Sequence, residues 1–501
     1  MKVQGTEFSM KHLTKDQLGL RHAISQAVAL NAPAGTIVLY VTSIASLVAF
    51  TFESYGSGLF AIPLILLLSL AVYSLMSFSM YEFSKHLSSS GGYYTFVSRG
   101  LGKTFGYLTA MLYVSYQILS FTGFGVLGFV SFVYGVLYGL GYTLPFAHYI
   151  WIPMVLGFAT IVAFLIRSGI RPSLRFVSYT IVIELLFFLV TSIALIIIYR
   201  SHFTLQPFTP APLGNNILYV STMMIYAIGA FVGIGGALPI AEETKKPKRN
   251  VPIAIVSTIV ILGVVIIISA FAQLIAWTGL HSISDFANSS LYPYPVVTIY
   301  DESFGVLDPV ILGIMIILVI NSYFTATVSL GTNATRVIFS MSREKIIHHR
   351  LSDTDKKTGS PVNAIWFVFL ISVAIVLVTG VGFEFLYPGY PSYALVYASL
   401  FLLVLESPMA YLIHIFTNSS LYAYLKANRM KTSILRHIII PMASTVTLVF
   451  AVFVAVYFDL SAPYIYGVYG AFVWILSILF ATMVMKIRYR EKLELVGDFS
   501  L

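Results

Sequence analysis

The run Ile24-Ser25-Gln26-Ala27-Val28-Ala29-Leu30-Asn31-Ala32-Pro33-Ala34-Gly35-Thr36-Ile37-Val38-Leu39 decides the fold. It begins and ends as apolar helix but is interrupted in the middle by Ala32-Pro33-Ala34-Gly35-Thr36. Proline withdraws a backbone donor and clashes with the preceding turn, and glycine weakens helix further. A second apolar run is interrupted in the same way: Tyr226-Ala227-Ile228-Gly229-Ala230-Phe231-Val232-Gly233-Ile234-Gly235-Gly236, with Pro239 close behind. Glycine and proline also serve plain packing in membrane helices, and Gly123, Gly125 and Gly128 read that way. The two interruptions differ because they fall near the middle of the first and sixth apolar runs. A five-helix inverted repeat places those two helices in corresponding positions. Broken helices in matching halves mark a binding site at the membrane midplane.

The rest of the chain is apolar almost throughout. Of 501 residues, 58% are hydrophobic and 10% charged, with a mean hydropathy of +0.89. Soluble domains carry roughly 25% charged residues, so water is not the main solvent. A helix crossing the hydrocarbon core needs about 20 apolar residues. Candidate spans lie at 22–50, 56–84, 102–140, 148–167, 172–199, 216–243, 251–278, 306–341, 361–380, 389–417, 434–458 and 463–486. A spanning β-barrel would alternate over ten-residue strands, and no such alternation is present. The expectation is an all-α integral membrane protein of about twelve transmembrane helices.

The net charge of +9 is distributed by side of the membrane. With the N-terminus cytoplasmic, all but Arg200 of the 29 Lys and Arg residues fall in cytoplasmic segments or at their helix ends. Asp285, Asp301, Glu302, Asp308, Glu384 and Asp459 fall outside. This is the positive-inside bias; it predicts a multi-pass cell-membrane protein with both termini cytoplasmic, and it argues against nucleic acid as a partner. The absence of cysteine excludes disulfides, thiol catalysis and cysteine-ligated metals. The first 21 residues hold no apolar leader segment. Gly102-Lys103-Thr104 resembles the end of a phosphate-binding loop, but Val97 stands where its first glycine belongs. Nothing calls for a cofactor or an enzyme. Asn288-Ser289-Ser290 fits a glycan acceptor on an outer loop.

A broken helix exposes backbone groups that suit a zwitterion. Freed N–H groups at a half-helix N-terminus, helped by the dipole, favour an anion such as a carboxylate. Freed carbonyls at the opposing C-terminus favour an ammonium. An amino acid satisfies both.

Three further stretches carry a family resemblance. The first is Ala230-Phe231-Val232-Gly233 followed by Leu238 and then Glu242-Glu243-Thr244-Lys245-Lys246-Pro247-Lys248-Arg249-Asn250-Val251-Pro252. The second is Tyr81-Glu82-Phe83, Ser90-Gly91-Gly92-Tyr93-Tyr94-Thr95, Arg99-Gly100-Leu101-Gly102 and Gly106-Tyr107. The third is Arg336-Val337-Ile338-Phe339 to Arg343-Glu344, then Ser360-Pro361-Val362. In this order the chain resembles the amino acid–polyamine–organocation permeases over about residues 18–487. The resemblance implies the leucine-transporter-like fold, a 5+5 inverted repeat plus two C-terminal helices. That corresponds to a tail over 1–21, repeats over 22–200 and 216–417, helices within 434–487 and a tail over 488–501. It implies a substrate held among helices 1, 3, 6, 8 and 10. The amides of Ala34, Gly35 and Thr36 would meet its carboxylate. Carbonyls near Asn31, Ala32, Phe231 and Val232 would meet its amine, with Gly233 in the break and Phe231 as aromatic lid. The chain departs from the family pattern at Ser88, Ile234 and Gly235. Gly235 stands where many members carry an acidic residue, so a neutral amino acid is the expected substrate.

Glu184 lies about twelve residues into the fifth span, or ~18 Å from its start at 1.5 Å per residue. An ionisable group at that depth is costly and usually functional. The resemblance places it where some members have a lysine standing in for sodium, so a carboxylate there would bind a proton or help hold a cation. Hydrogen bonding to neighbours such as Thr180 is the structural alternative. Glu406, before Pro408 in the tenth span, reads as gating or structural, and Glu82 as an inner-interface acid paired with a local Lys or Arg. Asn321, Thr325, Ser329 and Asn333 share one face of the eighth span; Thr325 and Ser329 are the candidates for ion coupling, and helix–helix hydrogen bonding is the alternative. Tyr113, Gln117 and Ser120 share a face of the third span and are expected to line the cavity. The reading is a carrier of neutral amino acids, coupled to protons in preference to sodium, with polyamines, other organic cations or metabolites as the alternative substrates and a channel or transport-deficient sensor as the alternative classes. A channel would need a continuous polar lining.

Overall fold

The computed structural model describes residues 13, 15–52, 57–142, 146–288, 294–388, 391–457 and 464–498. Ser289, Ser290, Asp459 and most of the N-terminal tail lie outside the described residues. The described chain is helical, and its one isolated bridge joins Leu18 to Thr244.

The first span is two helices, α1 (Leu20–Leu30) and α2 (Pro33–Phe52). Next come α3 (Ile62–Ser84), the short α4 (Tyr93–Leu101) and α5 (Lys103–Ser120). A π-helical stretch, Phe121–Leu127, leads from α5 into α6 (Gly128–Gly139). Then α7 (Ala147–Arg167) and α8 (Ile170–Ile198) close the first half. The sixth span is α9 (Ile217–Ile228) running into a tight 3₁₀ segment, Gly229–Ala237. After it follow α10 (Pro247–Leu280), α11 (Ile283–Asn288) and α12 (Pro295–Glu302). The chain then forms α13 (Asp308–Arg343), α14 (Val362–Leu386) and α15 (Pro391–Ala427). It ends in α16 (Ile440–Tyr457), α17 (Tyr464–Arg488) and α18 (Arg490–Leu493).

Ten helices among the described residues are long and apolar enough to cross a membrane. The broken α9 segment and the shorter apolar helix Leu435–Phe450 occupy the places of the sixth and eleventh expected spans. The helices differ in what covers them. The best apolar window of the first span is fully buried, whereas that of α17 is only 22% buried. Exposed apolar rows such as Ile183, Leu186, Val190 and Ile197 on α8 form the lipid-facing outside. The first span is thus the axis and α17 is peripheral.

Glycine sets how closely the third span approaches its neighbours. A Cβ on Gly123 would lie 2.6 Å from Leu402 Cβ, and one on Gly125 would lie 2.4 Å from Thr327 Oγ1. The π-stretch therefore seats against α13 and α15 through bare backbone.

At the face rich in Lys and Arg, buried ion pairs lock α13 to the segment before α10, and hydrogen bonds from Ser90 and Tyr94 tie this lock to the first half. Arg343 grips Glu242 with both nitrogens, at 2.8 and 2.9 Å, and Glu242 also accepts the Ser90 N–H at 2.8 Å. Arg336 Nε donates to Glu243 at 3.2 Å. Tyr94 donates to Glu344 at 3.0 Å. The Gly497 N–H reaches the same Glu344 oxygen at 3.0 Å, while Lys103 holds the Val496 carbonyl and the Asp498 carboxylate. Glu82 pairs with Lys85 at 3.0 Å on this side.

Candidate functional site

The break between α1 and α2 is held open by its own residues. Ala32 sits at φ +38°, a conformation costly for any residue with a Cβ. Asn31 occupies the centre. Its Nδ2 donates to the Ala27 carbonyl at 2.8 Å and its Oδ1 accepts the Gly233 N–H at 2.9 Å, so one amide staples the two broken spans together. A Cβ on Gly233 would stand 2.7 Å from Asn31 Nδ2 and 2.9 Å from the Leu30 carbonyl carbon, so only glycine fits. Across the sixth span, the freed Val232 carbonyl accepts the Tyr73 hydroxyl at 2.7 Å.

The amides at the start of α2 are committed to protein acceptors. Ala34 N–H donates to Glu184 Oε1 at 2.9 Å, Gly35 N–H to Ser322 Oγ at 3.2 Å, and Thr36 N–H to the Ala32 carbonyl at 2.7 Å. The sequence reading expects these three to be open to a ligand carboxylate. The side chains of α8 and α13 take two of them, because buried polar groups in hydrocarbon must find partners.

Glu184 is fully buried and gathers three donors: the Ala34 amide, Ser322 Oγ at 2.6 Å and Asn321 Nδ2 at 3.5 Å. Thr180, the partner expected from sequence, bonds back to its own helix instead, at the Phe176 and Val177 carbonyls. Thr180 and Glu184 are one turn apart, but Glu184 turns inward to the break. The polar stripe on α13 faces the first span. Gln26 Nε2 donates to the Ser329 carbonyl at 3.1 Å and to Asn333 Oδ1 at 2.9 Å, and Thr325 Oγ1 returns to the Ser322 carbonyl at 3.1 Å. Ser329 Oγ is buried without a hydrogen-bond partner. Ser322 and Gln26 are the residues sequence reasoning missed here. Ser322 is next to the stripe but off its four-residue spacing, and Gln26, in the first span, carries a polar side chain that had no assigned partner.

Two cavities lie side by side at the breaks. The first is lined by Leu30, Asn31, Thr36, Tyr40, Tyr116, Ser120, Phe124, Gly229, Val232, Gly233, Leu330, Leu403 and Glu406. Its walls come from spans 1, 3, 6, 8 and 10. The second is lined by Tyr93, Tyr113, Gln117, Gly235, Ala410, Ile413 and His414, and shares Leu30, Tyr116 and Val232 with the first. Asn31, Thr36, Val232, Gly233 and Glu406 thus belong to the first cavity, and Tyr113, Gln117 and Gly235 to the second. Ala32, Ala34 and Gly35 line neither.

Phe231, the expected lid, is also outside both cavities and wholly buried in the core. The reason is the pitch of its segment. A 3₁₀ helix repeats every three residues, so Gly229, Val232 and Gly235 share the lining face and Phe231 turns away. The aromatic walls are Tyr40, Tyr116 and Phe124, with Tyr40 and Phe124 edge to face at 6.1 Å.

Glu406 is central to the first cavity. It is 7% exposed, and among the described residues its one hydrogen bond comes from the Ser120 hydroxyl. No Lys, Arg or His among the described residues pairs with it. The sequence reading takes it as gating or structural; it lines the cavity together with residues of both helix breaks.

Two broken spans around a midplane cavity, wrapped by the remaining helices, define a transporter of the leucine-transporter fold. The structure aligns with that of MhsT in complex with L-phenylalanine at a TM-score of 0.58, covering 86% of this chain and 98% of that one at 13% identity. The amino acid permease family model matches residues 36–495, and the chain belongs to that family. It is 24% identical over 312 residues to the branched-chain amino acid permease BcaP of Bacillus subtilis, 59% of this chain and 62% of that one. It thus spans about three fifths of that relative's length. A methylthioribose transporter of the same organism is 22% identical over 342 residues, 65% of this chain and 68% of that one. The protein is a multi-pass membrane transporter, not an enzyme.

Proposed function

We propose that the protein is a secondary active permease for neutral amino acids, working by alternating access and driven by protons, with both termini in the cytoplasm. The family and the branched-chain permease among its relatives support the substrate class, and apolar walls such as Leu30, Val232, Leu330 and Leu403 suit an uncharged side chain.

The observation that carries the coupling is Glu184. Its carboxylate joins the start of α2 to α13 through the Ala34 amide and Ser322, so it ties the moving broken helix to its surroundings. A carboxylate accepts these hydrogen bonds best when ionised. Protonation converts one oxygen to a donor facing other donors, which loosens α2 and lets the first span tilt. Sodium is the second candidate ion: Thr325 Oγ1 donates its proton to the Ser322 carbonyl and keeps its lone pairs for a cation, as does the buried Ser329 Oγ.

Proteoliposome transport tests this reading. Glu184→Gln is expected to abolish accumulation driven by a pH gradient while sparing counterflow exchange of a loaded amino acid. Unchanged pH-driven accumulation refutes the role of Glu184. Accumulation that follows a sodium gradient and ignores pH refutes proton coupling altogether.

A further inference from the structure

The lining of the first cavity is electrostatically one-sided. The C-terminal end of α1 delivers Leu30 and Asn31, so this half-helix turns its negative pole inward, beside Gly229 where α9 passes into the 3₁₀ segment. Glu406 adds a carboxyl group whose one hydrogen bond among the described residues comes from the Ser120 hydroxyl. Aromatic faces of Tyr40, Tyr116 and Phe124 surround it, a setting that attracts organic cations.

The lining holds no Lys, Arg or His, and the amide of Thr36, which it takes from the first turn of α2, is already bonded to the Ala32 carbonyl. The amides a carboxylate would use, those of Ala34, Gly35, Thr36 and Gly233, all donate to protein acceptors. An ionised carboxylate in a membrane interior needs a counter-charge, and Ser120 supplies only a hydroxyl.

We infer that Glu406, oriented by Ser120, is the ammonium subsite of this cavity, so the site selects small organic amines with an apolar body and does not require their carboxylate. This rests on the first cavity being the substrate site proposed above, and it sharpens that reading: the amino group is the recognised end. Decarboxylated amino acids belong to the same ligand class.

Matched probe triplets test the inference: an amino acid, the amine lacking its carboxylate and the acid lacking its amine. Leucine, 3-methylbutylamine and 4-methylpentanoate form one set, and phenylalanine, 2-phenylethylamine and 3-phenylpropanoate another. Binding is measured on the purified full-length protein by thermal shift and by competition with a radiolabelled amino acid. The amines are expected to bind within about tenfold of the amino acids and the acids not at all. Glu406→Gln should weaken amine binding by roughly 10–100-fold, the range for losing a charged hydrogen-bonding partner, and Ser120→Ala by less. Acids that bind while amines do not overturn the subsite, as does unchanged amine affinity in Glu406→Gln. Should Glu406→Gln misfold, Ser120→Ala and the wild-type triplets decide alone. If wild type binds amines but transports no amino acid, the subsite stands and the amino acid reading falls. If it transports amino acids but binds no amine, the reverse holds.

Discussion

Asn31 does with one side chain what the two helix breaks need. Its amide has a donor and an acceptor pointing in different directions, and here the donor closes the end of α1 at Ala27 while the acceptor receives Gly233 from the other broken span. Asn31→Ala leaves a buried N–H without a partner, which costs about 1–3 kcal/mol, and releases the two breaks from each other. The purified variant is expected to unfold at a lower temperature than wild type and to lose the thermal shift given by bound substrate. A variant that melts and binds like wild type would show that the staple has no role. Asn31 was legible from sequence because it stands two residues before Pro33. Its partner was not, since Gly233 lies 202 residues away. The same distance problem hid Ser322, 138 residues from Glu184. Phe231, the lid that the family resemblance implies, lines neither cavity, because its segment winds at three residues per turn and turns the ring away.

At the scale of elements, the far end of α13 decides how the basic face closes. Arg336 and Arg343 stand two turns apart on α13 and reach back to consecutive acids, Glu243 and Glu242, just before α10. Burial pushes the Glu243 carboxyl up against the pull of Arg336. Burial also acts to raise Glu242, but the Arg343 fork and Ser90 outweigh it and hold the carboxyl below its ordinary range. A depressed carboxyl contributes stability that is complete above the ordinary carboxylate range and fades as pH falls through its lowered value. Removing one partner of a buried pair costs about 3–5 kcal/mol, because the other charge stays buried. Glu242→Gln should therefore melt at a clearly lower temperature than wild type at pH 7. That gap should narrow steadily below about pH 4.5, the upper end of the ordinary carboxylate range. A gap that widens as pH falls would contradict the assignment. The acidic–basic loop is visible in the sequence as a motif, whereas its pairing with α13 emerges only when the helices pack.

Across the whole molecule, the order of elements was readable wherever an apolar run stayed long and intact. The sixth and eleventh runs are the exceptions: one is divided by its glycines and the other is short, so hydropathy alone assigns them weakly. Orientation rests on a different property, the partition of charge. Lys and Arg crowd the face that holds the Arg343–Glu242 lock and the docked segment around Asp498, while Asp301 and Glu302 lie between α10 and α13 at the other face. Positive residues resist translocation, so the basic face is expected in the cytoplasm. The absence of any cysteine makes this directly measurable, because a single introduced thiol is the sole target for a maleimide. Lys357 and Asp301 are both exposed, one at each face. In intact cells a membrane-impermeant maleimide should label Asp301→Cys and leave Lys357→Cys untouched until the membrane is permeabilised. The opposite pattern would invert the molecule. It would also exchange which end of the site opens to which solution, while the direction of the proposed transport would still follow the proton gradient.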